Sequence, residues 1–584
     1  MKKNKDKIFL ADLIHHMRSE YPYFFPLGIG YIGAYASEKL GDSFEIELFR
    51  YPDDFSKALE RNMPQIIGFS NYLWNLNLSY EYIKVIKRKY PKSIIVVGGP
   101  NYSNDSLKIR NFWNRYPEID FYLVMEAEQA FVKLIETLKE YQFDVKALKK
   151  ERKTLPNCHY QYNEDIIQGE ILPRIENFHD LPSPYLLGLM DKFFDENLVP
   201  LIQTSRGCPF TCTFCTEGIK YFNKVQKKTN LEIELEYIAK KTKVEQLCLA
   251  DANWGMYKED IDKAKTISTI KEKYNWPKHI WANAGKNKKE RVLEVVEILD
   301  NSFSSGGAIQ STDPKILENI KRSNIVLPKL SELKGTNSYA EMMVGLPGES
   351  VKSHTQTLKD MVDNGFRKFR IYQTILLPNT PMDTVEERKL FKMKTKFQLL
   401  TRAFGKYEAF GETFIAVEFQ ELCIQNNTMT TEEYFDCREL DLIVETIYDK
   451  LYTKVLFNLF KGFNLSWFDV ILGVYKNRRL FTPTLTNYFD AYRREAKARL
   501  WDDPNKLMDS VKVRLDHFLQ EENDHHDVIH GYTKELLRDL KDFKNLLFKE
   551  IKKNLNNASK MNLERIHQLN TMRHLWELSK LQAQ

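Results

Sequence analysis

The first 140 residues alternate short apolar runs with amphipathic stretches. Residues 7–12, 45–50, 65–70, 93–97 and 121–125 read as buried strands, and 28–40, 78–89 and 128–141 carry apolar positions at helical spacing. Apolar strands separated by helices predict a parallel sheet covered on both faces. Ligands on such a sheet bind beyond the carboxyl ends of its strands, which directs attention to the turns after Ser70, Val97 and Met125. The pattern weakens over 141–197, where Leu181, Pro182, Ser183 and Pro184 restrict the backbone and read as a linker or wrapping arm.

A second strand–helix series follows. Residues 198–204, 246–251, 280–284, 305–310, 340–346 and 368–375 are strand candidates, with helices at 233–240, 291–299 and 351–364. Six such units predict an open, partial (β/α)6 barrel. After residue 384 charged and aromatic stretches with helical spacing dominate, at 432–459, 487–499 and 527–554. The expected organisation is α/β: a Rossmann-like domain over 1–140, a linker over 141–197, a partial barrel over 198–385, and a mainly helical domain over 386–584 that caps a site or binds substrate.

Composition changes this picture little. The chain has 86 basic and 80 acidic side chains, and a net charge of +6 spread over 584 residues is too weak to predict a specific nucleic-acid partner. No stretch approaches the roughly 20 apolar residues of a membrane span, and the polar start fits no signal peptide, so a cytoplasmic location is expected. Seven cysteines are too few and too clustered for a disulfide scaffold. Cys158, Cys248, Cys423 and Cys437 read as buried thiols.

The other three carry the chemistry. Residues 206–215 read RGCPFTCTFC, on a loop at the carboxyl end of the first strand of the second series. Thiolates at Cys208, Cys212 and Cys215 can converge on three corners of a cubane, since soft sulfur ligands hold iron–sulfur centres. The missing fourth protein ligand leaves one iron open to a small molecule. The competing reading is a zinc site or buried thiols; a structural zinc would want a fourth ligand nearby, and His159 and Cys248 are distant in sequence.

The CxxxCxxC loop, with an aromatic residue before its last cysteine, resembles the signature of the radical S-adenosylmethionine (SAM) superfamily. The whole chain resembles the class with an N-terminal cobalamin-binding domain. That resemblance implies a [4Fe–4S] cluster on Cys208, Cys212 and Cys215, SAM on the open iron, and reductive cleavage of SAM to a 5′-deoxyadenosyl radical. It places Phe214 near the adenine. LADANW (249–254) is similar to the family's "DDNF" strand end, GAIQS (307–311) to "GxQS", EMMVGLPGE (341–349) to "GLPGE", and LLPNTP (376–381) to "PGTP" with Asn379 in place of glycine. The implied SAM-binding set is Phe214, Asp251, Asn253, Gln310, Ser311, Glu341, Gly345 and Pro378.

The early sheet resembles the family's cobalamin domain through PLGIGYIG (26–33), GFSNYLWN (68–75), VGGP (97–100) and MEAE (125–128), the last standing where the family commonly has "GEGE". Ser70, Asn71, Tyr72, Trp74, Asn75, Gly98, Gly99, Pro100 and Glu126 are the implied cobalamin contacts. No D-x-H-x-x-G occurs; His15 and His16 follow Asp12 at the wrong spacing and read as ordinary surface or loop residues. The resemblance therefore implies cobalamin without a protein histidine ligand, and it fits equally a domain that has lost cobalamin.

The family's best-populated chemistry is methylation of unactivated carbon or phosphinate phosphorus. The implied reaction is methylation of a small metabolite or natural-product intermediate, with an external electron donor such as flavodoxin or ferredoxin. Cyclisation, ring contraction or rearrangement is the alternative, and a cobalamin or redox sensor the remote one. Methylthiotransfer on transfer RNA is disfavoured because no cysteine precedes Cys158.

Overall fold

In the computed structural model, which describes residues 6–16, 23–228, 231–300, 302–303, 306–322, 339–366, 368–448, 460–462, 465–520, 528–538 and 541–557, the early apolar runs form one sheet. Its strands are β1 (Asp6–Ala11), β2 (Phe44–Phe49), β3 (Ile66–Ser70), β4 (Ile94–Gly98), β5 (Phe121–Leu123), β6 (Cys158–Tyr162) and β7 (Asp165–Gln168), in the order β2-β1-β3-β4-β5-β6-β7. The first five run parallel. Helices α1 (Leu27–Leu40), α2 (Pro52–Arg61), α3 (Leu76–Lys89) and α4 (Ser106–Arg115) make the crossovers, and α5 (Glu128–Glu140) follows β5. The order reverses between β1 and β3, and at such a switch point a crevice opens beyond the carboxyl ends. Beyond β5 the stretch expected to be a linker adds the antiparallel hairpin β6–β7. Backbone pairing of β6 at His159 and Cys158 covers the edge that β5 would otherwise expose.

Of the strands that follow, these build the next unit: β8 (Leu201–Ile202), β9 (Gln246–Trp254), β10 (His279–Ala284), β11 (Gly306–Gln310), β12 (Tyr339–Val344) and β13 (Lys368–Gln373). They pair in parallel as two triplets, β8-β9-β10 and β11-β12-β13, with one parallel bridge from Ile280 to Phe303 between them. Helices α6 (Glu232–Lys241), α7 (Glu259–Tyr274), α8 (Lys289–Ile298), α9 (Pro314–Asn319) and α10 (Val351–Asp363) lie between the strands in sequence. This is the partial barrel. The cores divide it: the first triplet shares a buried cluster with the N-terminal sheet, whereas Ile309, Ala340 and Met342 of the second pack with the C-terminal helices.

After a short helix over Val385–Leu390, the region beyond residue 384 contains an element absent from the sequence reading. β14 (Lys394–Ala409) and β15 (Glu412–Gln425) form a long antiparallel hairpin. Phe410 and Gly411 turn it with φ of +53° and +72°. The helix-rich region begins only at α11 (Thr431–Tyr448) and continues through α12 (Trp467–Lys476), α13 (Pro483–Ala498), α14 (Pro504–Val513), α15 (Leu515–Gln520), α16 (Val528–Arg538) and α17 (Lys541–Asn557). Part of the 432–459 candidate lies outside the described residues. No described helix is long and apolar enough to cross a membrane.

Candidate functional site

The three-cysteine loop leaves β8 through Ser205 and Arg206, which pair antiparallel with Gln226 and Lys227 and so close its base. Gly207 sits at φ +103°, and a Cβ there would lie 2.6 Å from the Phe222 carbonyl, so only glycine fits the turn. The Cys208 N–H donates to that carbonyl at 3.0 Å. Cys208 and Cys212 are buried and Cys215 is partly so; burial pushes the Cys215 thiol up. The Asn253 amide donates to Cys208 Sγ at 3.3 Å, and Arg322 donates to Cys212 Sγ at 3.7 Å. Arg322 also bonds the Ala308 carbonyl, and burial lowers its pKa. It is a charged partner of the loop that sequence reasoning missed, because its KRS context looks like any solvated charge run.

Among the described residues no three His, Cys, Asp or Glu groups meet as a single ion would require. Cubane corners are separate iron atoms, so three thiolates on one loop need not point at one centre. The donor set is all sulfur, with hydrogen-bond donors aimed at two of the thiols, and it fits a cluster better than zinc.

The strand ends around the loop divide into two groups. Among the described residues Asn253 Oδ1, Gln310 Oε1 and Arg322 Nε are buried with no hydrogen-bond partner, which suits a polar ligand. Gln310 is held at φ +68° beside a register shift between Ala308 and Gln310, an irregularity that re-aims its side chain. Phe214 packs partly buried against the cluster containing Leu346 and Leu376, and Pro378 is half-buried. The other expected contacts turn elsewhere. Asp251 accepts bonds from the Thr204 N–H at 2.7 Å, the Thr204 hydroxyl and Ser205 Oγ at 2.9 Å, which fix β9 to the chain after β8. Burial raises its pKa against the pull of Lys263 and Thr204. Ser311 Oγ accepts from the Asp313 N–H at 3.2 Å and faces Thr357, and Glu341 pairs with Arg370 at 3.3 Å.

Gly345 (φ +92°) shapes the "GLPGE" turn, where Glu349 Oε2 accepts its N–H at 2.6 Å and that of Leu346 at 3.1 Å. The other Glu349 oxygen lies 3.0 Å from His354 Nδ1, and His354 Nε2 lies 2.8 Å from Asp441 of α11. All three are buried. Burial disfavours the imidazolium, but Asp441 and Glu349 outweigh it and raise the His354 pKa to about 10. Asn379 takes φ +62°, which explains an asparagine in the family's glycine position.

Across Arg206 lies the second part of the site. A cleft of about 280 Å³ opens over the carboxyl ends of β1, β3, β4 and β5, lined by Asp12, Ser70, Tyr72, Gly98, Gly99 and Glu126 among others. Gln203, Arg206 and Phe222 close it from the barrel side. Gly99 sits at φ +135°, and a Cβ would meet the Asn71 carbonyl at 2.4 Å. Met125 also takes a left-handed conformation, φ +60°, so the first glycine of "GEGE" is replaced without a change in the turn.

Of the remaining expected contacts, Asn71 turns its amide inward to the Asn101 carbonyl and Tyr122 hydroxyl. Asn75 does the same toward Asp12, the Leu13 carbonyl and Ser70. Trp74 and Pro100 lie outside the lining; Trp74 stacks on Tyr72 at 4.4 Å. Glu126 and Glu128 are committed to ion pairs with Arg174 (2.9 Å) and Arg206 (2.7 Å). Arg174 in turn donates to the Arg206 carbonyl at 3.3 Å, tying cleft to cysteine loop. Among the described residues no histidine lines the cleft. His15 is buried against the Tyr407 hydroxyl at 2.7 Å, and His16 is the exposed one, 3.1 Å from Asp53.

The B12 binding domain family model matches residues 18–135. The chain is 26% identical over 461 residues to the cobalamin-dependent radical SAM methyltransferase TokK of Streptomyces tokunonensis, covering 75% of this chain and 65% of that protein. It is 27% identical over 456 residues to the 2-(S-pantetheinyl)-carbapenam-3-carboxylate methyltransferase of Streptantibioticus cattleyicolor, covering 74% of this chain and 64% of the relative. The matched region thus spans slightly less than two thirds of these relatives. In fold, the chain is similar to the cobalamin-dependent SAM radical enzyme OxsB with aqua-cobalamin and SAM bound (TM-score 0.54, 15% identity, 99% of this chain and 84% of that one).

Proposed function

We propose that this chain, a B12-binding domain fused to a radical-SAM-like fold that matches cobalamin-dependent radical SAM enzymes, is itself such an enzyme and methylates an unactivated carbon of a small metabolite or natural-product intermediate. The observation that carries the reading is adjacency. Arg206 lines the cleft over the N-terminal sheet and stands two residues before Cys208. In this reading Cys208, Cys212 and Cys215 would hold a [4Fe–4S] cluster, Gln310, Asn253 and Phe214 would bind SAM, and the cleft at Ser70, Tyr72, Gly98 and Gly99, whose described lining contains no histidine, would hold cobalamin. When bound, the reduced cluster supplies the electron that cleaves SAM, and cobalamin supplies a methyl carrier.

The residues of the chain do the rest. Asn253 orients Cys208 by a hydrogen bond and Arg322 brings a positive charge to Cys212, lowering the cost of placing thiolate charge in a buried loop. Arg206 and Arg174 hold the cleft and the loop at a fixed spacing, so that two bound cofactors would face one substrate. Gly98 and Gly99 let a flat macrocycle approach the backbone.

Anaerobic reconstitution with iron, sulfide and cobalamin is expected to give iron–sulfur and corrin absorption bands, and a reductant with SAM to give 5′-deoxyadenosine. Cys212→Ala should remove the cluster bands; bands unchanged in that variant would end the ligand assignment. Label transferred from methyl-labelled SAM to a product supports methylation. Turnover without label transfer would replace methylation with cyclisation or rearrangement.

A further inference from the structure

A second cavity, of about 310 Å³, shares no lining residue with the cleft and lies between β13, the β14–β15 hairpin and helices α13 to α15. That volume is within the range of small-molecule sites. Its apolar side is built from Leu399, Leu507 and Val511, with Trp501 and Phe518 adding flat aromatic faces. Three amides, Gln373, Gln398 and Gln420, line the side toward the barrel and the hairpin; Gln420 donates to Gln398 Oε1 at 3.1 Å. Among the described residues the charged groups in the wall are Arg499 and Arg514, and no Asp or Glu lines the cavity. Arg499 is bonded to Glu495. Arg514 instead donates to Ser510 Oγ at 3.0 Å and lies 5.3 Å from the Phe518 ring centre, with no carboxylate paired to it among the described residues. A guanidinium held over a ring, beside an apolar wall and amide donors, suits an anion on a hydrophobic body.

The cavity also reaches the barrel. Tyr372 of β13 is in its wall, and the Tyr372 hydroxyl is 3.5 Å from Glu341 Oε1 on β12. Along β12 and β13 the alternate residues Ala340, Met342 and Ile371 pack into the cluster shared with the C-terminal helices, so Glu341 and Tyr372 project to the opposite, inner face. We propose that this cavity binds a small molecule with a carboxylate or other anionic group on an apolar, ring-bearing body, the anion at Arg514 and the ring against Trp501. Its identification as the substrate of the proposed methylation rests on the reading above; the binding site does not.

The test uses the full chain and isothermal titration with 1-naphthoate, against neutral 1-naphthalenemethanol. Naphthoate is expected to bind with 1:1 stoichiometry and about tenfold more tightly than the alcohol. Arg514→Gln should remove that preference. Thr401→Trp, an exposed lining position where added bulk enters the cavity without opening the core, should abolish binding of both probes. Equal binding of the two probes, or naphthoate binding unchanged in both variants, would overturn the proposal. Each variant is checked for an unchanged melting temperature and cluster spectrum, and a second cavity-filling variant, Ser510→Phe, replaces Thr401→Trp if that check fails. Naphthoate binding without 5′-deoxyadenosine formation would leave the site standing and the enzymatic reading fallen; the reverse result would do the opposite.

Discussion

Two turns at the barrel mouth use the left-handed backbone region in different ways. At Gly345 a Cβ would be both strained at φ +92° and 2.6 Å from the Cys423 carbonyl, so Gly345→Ala should cost about 1–3 kcal/mol in urea unfolding. At Asn379 only the conformation matters, and Asn379→Gly should leave the unfolding midpoint almost unchanged. His354 offers a pH readout. Its folded pKa, about 10, lies above the ordinary 6.5. The imidazolium's contribution is therefore complete below about pH 6.5 and is lost as pH rises through about 10. The melting-temperature gap between wild type and His354→Gln should narrow from pH 7 to pH 10, and a constant gap would refute the ion bridge. The cysteines, Gln310 and the glycine turns were legible because their chemistry or backbone demand is tied to residue type. Arg206, Arg174 and Arg322 were not, since an arginine's partners are set by folding and not by its neighbours in sequence.

At the scale of elements, the hairpin is the clearest lesson. β14 alternates polar and apolar residues only at 396–399 and 406–409, β15 carries unbroken apolar runs at 414–417 and 422–424, and the register shifts between Leu399 and Phe404, so the hairpin sustains no period of two. Its two-residue turn places Phe410, not asparagine or aspartate, at positive φ, hiding the usual hairpin signal. The central parallel strands were readable because they carry apolar runs, IIGF at 66–69 and IIVV at 94–97, a pattern no turn can disguise. The hairpin also completes another element. The α3 N-terminus has no side-chain cap of its own. Buried Glu418 of β15 accepts the Asn77 N–H at 3.1 Å and the Leu78 N–H at 2.8 Å, favourably placed against the helix dipole. Glu418→Leu should cost about 1–3 kcal/mol, because it leaves buried donors unmade; urea unfolding of the variant would measure it.

Across the whole molecule, the barrel's two triplets belong to different cores, and the cysteine loop is one of the seams between them. The Thr213 N–H donates to the Ile320 carbonyl at 3.0 Å, the Met382 N–H to the Thr213 carbonyl at 2.9 Å, and Arg322 reaches Cys212. Stripping the cluster proposed for this loop should therefore raise hydrogen exchange in residues 207–216 together with 320–322 and 380–383. Exchange confined to the loop would show that it does not join the halves.

The Glu418 cap spans 341 positions of chain from Asn77. At translation rates of about 5–20 residues per second, the ribosome exposes α3 for roughly 20–70 s before its acceptor is made. During that interval Tyr82 also lacks the hairpin's Phe414 ring, 4.9 Å away in the finished protein. The nascent N-terminal domain must wait with an open helix end and an uncovered aromatic face, a surface on which a chaperone would find its hold.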